Sequence, residues 1–224
     1  MTARGTLVFD LDGTLVDSVP DLAGSLDQLM AEKGLDAFGI DATRRLIGHG
    51  IPNLVRKALE QRGVDVGDTA PATDVKRFTE IYSGRLSRET RPYPDVEDVL
   101  GRLRAEGWAL AVCTNKLERY ARAILADLGL ADLFAVVSGP DTFGVGKPDP
   151  RHLTETIAAA GGAAPAIFVG DSEVDVATAK AAKVPVVAVS YGYTKTPLDS
   201  LDPEALIDGF DALPAALAKI AMAA

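Results

Sequence analysis

The sequence of 224 residues predicts an α/β fold, a parallel sheet whose chain is interrupted by a helical insert. Three observations predict it. A short apolar run near the start is typical of a buried strand. From about Val19 to Arg88, apolar residues recur at helical spacing with no clear strand. From Pro92 onward, β-prone apolar runs alternate with helical segments, which is the pattern of βαβ units in a parallel sheet.

The strands and helices are placed by apolar periodicity and by turn residues. The first strand is predicted at 6–9, because these residues are mostly apolar and β-prone. The insert is predicted to hold helices at 19–33, 41–47, 51–62 and 74–86. Further strands are predicted at 108–113, 134–138, 166–169 and 184–189. Core helices are predicted at 95–106, 118–128, 150–160, 174–182 and 213–221.

Composition limits the classes of function. Apolar residues make up 47% of the chain and charged residues 25%, as in an ordinary globular protein. No apolar run approaches the roughly 20 residues of a membrane helix, and the first apolar stretch is too short for a secretory signal. Cys113 is the only cysteine, which fits a cytoplasmic protein. The net charge of −9 argues against nucleic acid or an anionic membrane as a partner.

The most informative stretch follows the first strand, where Asp10 and Asp12 stand two residues apart and precede Gly13. On an extended segment both carboxylates point the same way. At about 4 Å and an effective dielectric of about 20 their repulsion costs roughly 4 kcal/mol, so we expect a cation between them. Oxygen ligands alone suit Mg²⁺. The alternative is that the pair merely begins a solvated loop.

Polar residues also follow the later strands. Thr114 and Asn115 come after one strand, Asp171 and Asp175 after another, and Lys147 precedes a predicted helix. Because sites in open parallel sheets form at the carboxyl ends of strands, these groups are expected to converge on a divalent cation and an anion. Taken singly, each has an ordinary alternative as a helix cap or a solvated side chain.

Four motifs contain these candidate residues: Asp10-x-Asp12-Gly-Thr-Leu-x-Asp17-Ser18, Cys113-Thr114-Asn115-Lys116, Lys147-Pro148-Asp149-Pro150 and Gly170-Asp171-Ser172-x-x-Asp175. In order and spacing they resemble the motifs of the haloacid dehalogenase-like phosphohydrolases. The resemblance implies a Rossmann-like parallel sheet core with an inserted small helical cap domain. We expect the α/β catalytic core at residues 1–17 and 89–224 and the cap at 18–88.

The resemblance implies a role for each site residue. Asp10 is the expected nucleophile, forming an aspartyl-phosphate, and Asp12 the general acid and base. Lys147, Thr114 and the backbone N–H of Asn115 are expected to bind the phosphoryl oxygens.

The resemblance also implies a magnesium site. Its expected ligands are a carboxylate oxygen of Asp10, the backbone carbonyl of Asp12, and Asp171. Asp175 is expected to orient the metal's waters or Lys147. The two histidines, His49 and His152, are distant in sequence and are expected to be surface or structural residues rather than zinc ligands.

Three further stretches resemble the phosphoglycolate phosphatases of this family: Ile47-Gly48-His49-Gly50, Arg91-Pro92-Tyr93-Pro94 and 187–193. They imply 2-phosphoglycolate, a small phosphorylated metabolite of carbohydrate metabolism, as the substrate. The alternatives are another phosphate ester, such as a sugar phosphate or a pyrophosphate, or a transfer of the β-phosphoglucomutase kind.

The resemblance implies that the insert closes as a lid over the site. In it, the turn of Gly48, His49 and Gly50 is expected to approach the substrate tail, and Arg44 or Arg45 to meet its carboxylate. We expect a monomer or a homodimer.

Overall fold

The computed structural model of the chain describes residues 4–48 and 50–223. They belong to two compact units: a core unit (Met1–Asp17 and Arg91–Ala224) and a helical unit (Ser18–Thr90). Among the described residues, no helix combines the length and apolar composition needed to cross a bilayer.

The core unit contains a six-stranded sheet in which every strand pair is parallel, in the order β5-β4-β1-β6-β7-β8. This arrangement confirms the predicted α/β fold. Two very short strands, β2 and β3, pair separately and antiparallel. The strands are β1 (Gly5–Phe9), β2 (Val16–Asp17), β3 (Arg91–Pro92), β4 (Trp108–Cys113), β5 (Val136–Ser138), β6 (Ala166–Gly170), β7 (Val186–Val189) and β8 (Ala205–Ile207).

Helices surround this sheet. Val8 and Phe168 point to one face, where they pack with Leu153, Val176 and Ala179. Phe9, the next residue along β1, points to the other face and contacts Phe134 and Phe210. The helices of the core unit are α5 (Val96–Ala105), α6 (Glu118–Asp127), α7 (Pro140–Phe143), α8 (Pro150–Ala159), α9 (Glu173–Ala182) and α10 (Leu213–Ala223).

The helical unit has its own apolar core, in which Leu26, Leu59, Phe78 and Tyr82 are among the buried residues. Its helices are α1 (Val19–Glu32), α2 (Gly39–Leu46), α3 (Gly50–Gln61) and α4 (Ala72–Ser83).

Several element boundaries differ from the predicted ones for local physical reasons. Helix α2 begins at Gly39 rather than residue 41, since the Asp27 carboxylate accepts hydrogen bonds from the backbone N–H groups of Phe38 and Gly39. Helix α4 spans Ala72–Ser83 rather than 74–86. Strand β8 was not predicted, because it has only three residues and its Leu206 side chain is exposed. Strands β2 and β3 are also too short for periodicity to indicate.

Candidate active site

The carboxyl ends of three adjacent strands bring the candidate residues together. Strands β4, β1 and β6 are neighbours in the sheet, so Thr114, Asp10 and Asp171, which directly follow them, lie at one edge. The Asp10 backbone N–H donates to the carbonyl of Val169 on β6 at 2.9 Å. The order of the strands, rather than their separation in sequence, therefore assembles the site.

Lys147 is the central cation of this edge. Its Nζ lies 2.8 Å from Oδ1 of Asp10 and 2.6 Å from Oδ1 of Asp175, and its side chain is only 2% exposed. Lys147 is thus a buried residue shared by two carboxylates rather than a solvated surface lysine. Burial alone would lower the pKa of Lys147, but Asp10 and Asp175 outweigh it, so its pKa is raised and it stays charged.

Asn115 holds the backbone of Lys147 in place. The Asn115 side chain donates to the Lys147 carbonyl at 2.9 Å and accepts from the Lys147 N–H at 2.8 Å. A Cβ at Gly146 would stand 3.0 Å from Oδ1 of Asn115, so the glycine before the lysine leaves room for these two hydrogen bonds. The motif had indicated a role only for the backbone N–H of Asn115. The two hydrogen bonds join residues 32 positions apart, which no local pattern indicates.

Asp171 is tightly enclosed. Its Oδ2 accepts from the Tyr193 backbone N–H at 2.7 Å, and its Oδ1 accepts from the Thr14 hydroxyl at 3.3 Å. A Cβ at either Gly13 or Gly192 would collide with this side chain. The loop after β7, which supplies Gly192 and Tyr193, therefore positions Asp171. In the sequence, this stretch contributed only to the family resemblance.

Asp175 lies in the first turn of α9 and also holds the lysine. Its Oδ2 accepts from the backbone N–H groups of Asp171 and Ser172 at 3.2 Å and 3.0 Å and from the Ser172 hydroxyl at 2.6 Å. Its Oδ1 remains for Lys147. Ser172 in return caps the helix through the Asp175 N–H. The helix cap and the lysine contact are thus two functions of one carboxylate.

Three carboxylates and one lysine leave an excess of negative charge in a buried place. Oxygens of Asp10, Asp171 and Asp175 all lie within 4.8 Å of one another. Burial raises the pKa of Asp10 to about 6, although Lys147 opposes the shift. Burial, followed by the charges of Asp175 and Asp10, raises the pKa of Asp171. A further cation would relieve this excess, and a donor set made only of oxygen fits Mg²⁺.

Asp12 has a different partner from Asp10. Its Oδ1 lies 2.7 Å from Nζ of Lys116, whose side chain is only 7% exposed. In the structure each of the two aspartates contacts a lysine of its own, and the cation predicted beside them stays a prediction. Lys116 belongs to one of the four motifs, but no role for it was predicted from the sequence.

The remaining candidate residues belong to the core unit, to the helical unit or to the part of the chain outside the described residues. Thr114 is buried, and its hydroxyl accepts from the Lys116 N–H at 3.2 Å. Gly48 and Gly50 belong to the helical unit and have positive φ angles of 131° and 83°. His49, between them, is outside the described residues. His152 is fully buried in the core unit, as a structural residue would be.

Comparison with known proteins agrees with this geometry. The sequence profile of the haloacid dehalogenase-like hydrolases matches residues 7–189. A phosphoglycolate phosphatase of Mesorhizobium japonicum is 44% identical over 220 residues, covering 97% of this chain and 96% of that protein. One of Caulobacter vibrioides is 39% identical over 213 residues, covering 94% and 90%. The crystal structure of a predicted phosphoglycolate phosphatase from Haemophilus somnus matches with a TM-score of 0.84 at 30% identity, covering 96% of this chain and 98% of that chain.

The parallel sheet with helices around it and the acidic cluster at the carboxyl ends of its strands define an α/β protein with a candidate active site. The chain belongs to the haloacid dehalogenase-like hydrolases. This membership confirms the resemblance seen in the four motifs. The protein is therefore an enzyme, and the similar curated relatives are phosphatases.

Proposed function

We propose that this enzyme is a Mg²⁺-dependent phosphomonoester hydrolase that works through an aspartyl-phosphate on Asp10. The observation that carries the proposal is the position of Asp10. Its carboxylate stands at the end of a central strand, 2.8 Å from Lys147 and within reach of Asp171. A nucleophile needs a fixed carboxylate beside positive charge that offsets the charge of the incoming phosphate ester.

The reaction has two steps in this proposal. A carboxylate oxygen of Asp10 forms a bond to phosphorus while the bond between phosphorus and the ester oxygen breaks. Asp12, in its carboxylic acid form, gives its proton to the departing alkoxide. The resulting Asp12 carboxylate then takes a proton from water, whose oxygen attacks phosphorus and releases inorganic phosphate from Asp10. Each step begins from the protonation state of Asp12 that the other leaves behind.

The remaining residues bind and orient the phosphoryl group. Lys147 meets a phosphoryl oxygen while keeping Asp175 as its second partner, and Asn115 keeps its backbone in position. Thr114 and the Asn115 N–H hydrogen-bond other phosphoryl oxygens. Such preorganised donors stabilise the charge of the transition state without reorganising during the reaction.

Mg²⁺ would be held by the carboxylates of Asp10 and Asp171 and by the backbone carbonyl of Asp12. When bound, it would offset the negative charge shared by the carboxylates and the phosphoryl group. Asp175 is engaged by Lys147 and by the start of α9, which supports a role in positioning rather than direct ligation.

The proposed substrate is 2-phosphoglycolate, which is converted to glycolate and phosphate. Curated relatives that match this chain over nearly its whole length carry the name phosphoglycolate phosphatase, which supports the choice. The helical unit is proposed to act as the cap, and a cytoplasmic location remains a prediction. Phosphate release across a panel of phosphomonoesters with Mg²⁺ tests the substrate, since a higher kcat/KM on a sugar phosphate or a pyrophosphate would reject this choice.

The test of the mechanism is Asp10→Asn, with Asp132→Asn as the control, because Asp132 is exposed and the chemical change is the same. We expect Asp10→Asn to lower kcat by about 10⁴-fold or more while the protein stays folded by circular dichroism. Mass spectrometry of acid-quenched wild-type enzyme should find the phosphoryl group on the peptide that contains Asp10. Turnover by Asp10→Asn within about tenfold of wild type would reject the nucleophile.

A further inference from the structure

We propose that Lys116 is a positioning residue that holds the Asp12 carboxyl group where it can donate a proton to the leaving oxygen. The proposal rests on the proposed function, in which Asp12 is the general acid. Lys116 contributes its Nζ to Asp12 at 2.7 Å. It is a different lysine from the one that holds Asp10, so each aspartate is oriented independently.

The backbone that carries Lys116 is itself fixed. Its N–H donates to the Thr114 hydroxyl at 3.2 Å, and two residues later the Glu118 N–H donates to the Asp141 carboxylate at 2.9 Å. A Cβ on Gly139 would stand only 2.5 Å from the Lys116 carbonyl oxygen, so that neighbouring backbone packs closely against this turn. The lysine is therefore presented from a rigid turn at the end of β4.

Burial makes the ion pair an effective positioning contact. The Lys116 side chain is 7% exposed and that of Asp12 is 22% exposed, so water screens their attraction less than it would at an open surface. Without Lys116, the Asp12 carboxyl group would lose this contact while still facing the like charge of Asp10. Like-charge repulsion would then turn it away from the reacting atoms.

If Lys116 positions the general acid, the effect of its loss on the rate depends on the leaving group. An alkoxide is a poor leaving group and needs a proton as it departs, whereas p-nitrophenolate is a stable anion that departs without one. Loss of Lys116 should therefore slow the hydrolysis of alkyl phosphates more than that of p-nitrophenyl phosphate. A purely structural role would slow both alike.

The experiment measures kcat/KM of wild type and Lys116→Met on three esters with Mg²⁺: 2-phosphoglycolate, ethyl phosphate and p-nitrophenyl phosphate. In Lys116→Met we expect kcat/KM for both alkyl esters to fall about 10- to 100-fold, since general acid catalysis contributes about 10²–10⁴-fold. For p-nitrophenyl phosphate we expect kcat/KM to stay within about threefold of wild type. Asp12→Asn should show the same selectivity. Lys116→Arg, which keeps the charge, should lose less on the alkyl esters than Lys116→Met does.

Lys180→Met is the control for removal of a lysine charge, since Lys180 is half-exposed and its Nζ lies 3.9 Å from Asp202. If Lys116→Met does not fold, as judged by circular dichroism, Lys116→Gln takes its place in the comparison.

Three results would overturn the proposal: an equal loss on all three esters, a loss confined to 2-phosphoglycolate, or no loss at all. The second would assign Lys116 to the substrate carboxylate instead. Failure of the proposed function is distinct, because wild type would then release phosphate from none of the esters.

Discussion

At the scale of single residues, the site depends on small and buried groups that surround the carboxylates. Asp10 and Asp171 are held by residues from distant parts of the chain, including Lys147, Gly13 and the loop after β7. The glycines matter because they leave space that a methyl group would fill. Packing as well as charge therefore keeps these like-charged carboxylates close together.

Gly192→Ala tests this packing. The added methyl would collide with the Asp171 side chain. Mutation of residues that orient a metal ligand typically weakens metal binding about 10- to 100-fold. We therefore expect the Mg²⁺ concentration for half-maximal activity to rise about 10-fold or more. The matched control is Gly101→Ala on α5, where a Cβ meets nothing within 4 Å. That change should leave the Mg²⁺ dependence unaltered and stabilise the helix slightly. An unchanged Mg²⁺ requirement in Gly192→Ala would contradict the role of this glycine.

The pH dependence of stability should include a contribution from His152. Burial, with the positive charge of Lys147, lowers the pKa of His152 to about 4 from an ordinary 6.5. The folded state therefore keeps the ring neutral, so this stabilisation is complete above pH 6.5 and is lost as the pH falls from 6.5 towards 4. We expect a loss of about 2 kcal/mol in the free energy of unfolding between pH 7 and pH 5 from this group.

Urea unfolding of wild type and His152→Gln at the two pH values isolates that contribution. The raised pKa values of Asp10 and Asp171 act in the opposite direction, since folding favours their protonated forms. Subtracting the variant removes these shared effects. Equal pH dependence in the two proteins would reject the contribution of His152.

At the scale of elements, the longer strands and helices could be predicted because their apolar periodicity is strong. Strand β4 was predicted with its observed bounds, and α8 begins at Pro150 after the Asp149 cap, as expected. The elements that were missed are two to four residues long, too short to show a period. Their formation depends on a neighbouring strand or loop, which the local sequence does not describe.

Asp21 on α1 should stabilise the end of the helical unit. It is fully buried and accepts hydrogen bonds from the N–H groups of Glu89 and Thr90 and from the Thr90 hydroxyl, at 2.8 to 2.9 Å. Arg85 lies 3.4 Å from its other oxygen. We expect Asp21→Asn to lower the free energy of unfolding by about 2 kcal/mol, since it removes the charge of a buried carboxylate that accepts three hydrogen bonds.

Circular dichroism during urea denaturation measures this loss. Glu80→Gln is the control, because Glu80 is half-exposed and its ion pairs lie at the surface, so its loss should cost less than about 1 kcal/mol. Similar small losses for both variants would show that the contacts of Asp21 contribute little.

At the scale of the whole molecule, the net charge of −9 opposes any anionic substrate, and part of that charge is concentrated in the buried site. A bound cation should therefore stabilise the folded protein in addition to supporting its activity. At a Mg²⁺ concentration about 100 times the Kd, we expect a gain of about 2.7 kcal/mol and a rise in Tm of roughly 5 to 10 °C.

Thermal denaturation with and without Mg²⁺, after treatment with a chelator, measures this gain without a substrate. Asp171→Asn should abolish the shift, whereas Asp132→Asn should retain it, since Asp132 is an exposed aspartate outside the acidic cluster. A full shift in Asp171→Asn would exclude Asp171 as a ligand.

The sequence by itself determined the α/β class, the helical insert and the identity of the acidic candidates, because periodicity and motif spacing are properties of neighbouring residues. Only the tertiary structure decided which charges meet: Lys147 with Asp10 and Asp175, and Lys116 with Asp12. The paired residues lie 28 to 137 positions apart in the sequence. The order of strands in the sheet brings these distant residues together in space, and no local pattern of residues encodes that order.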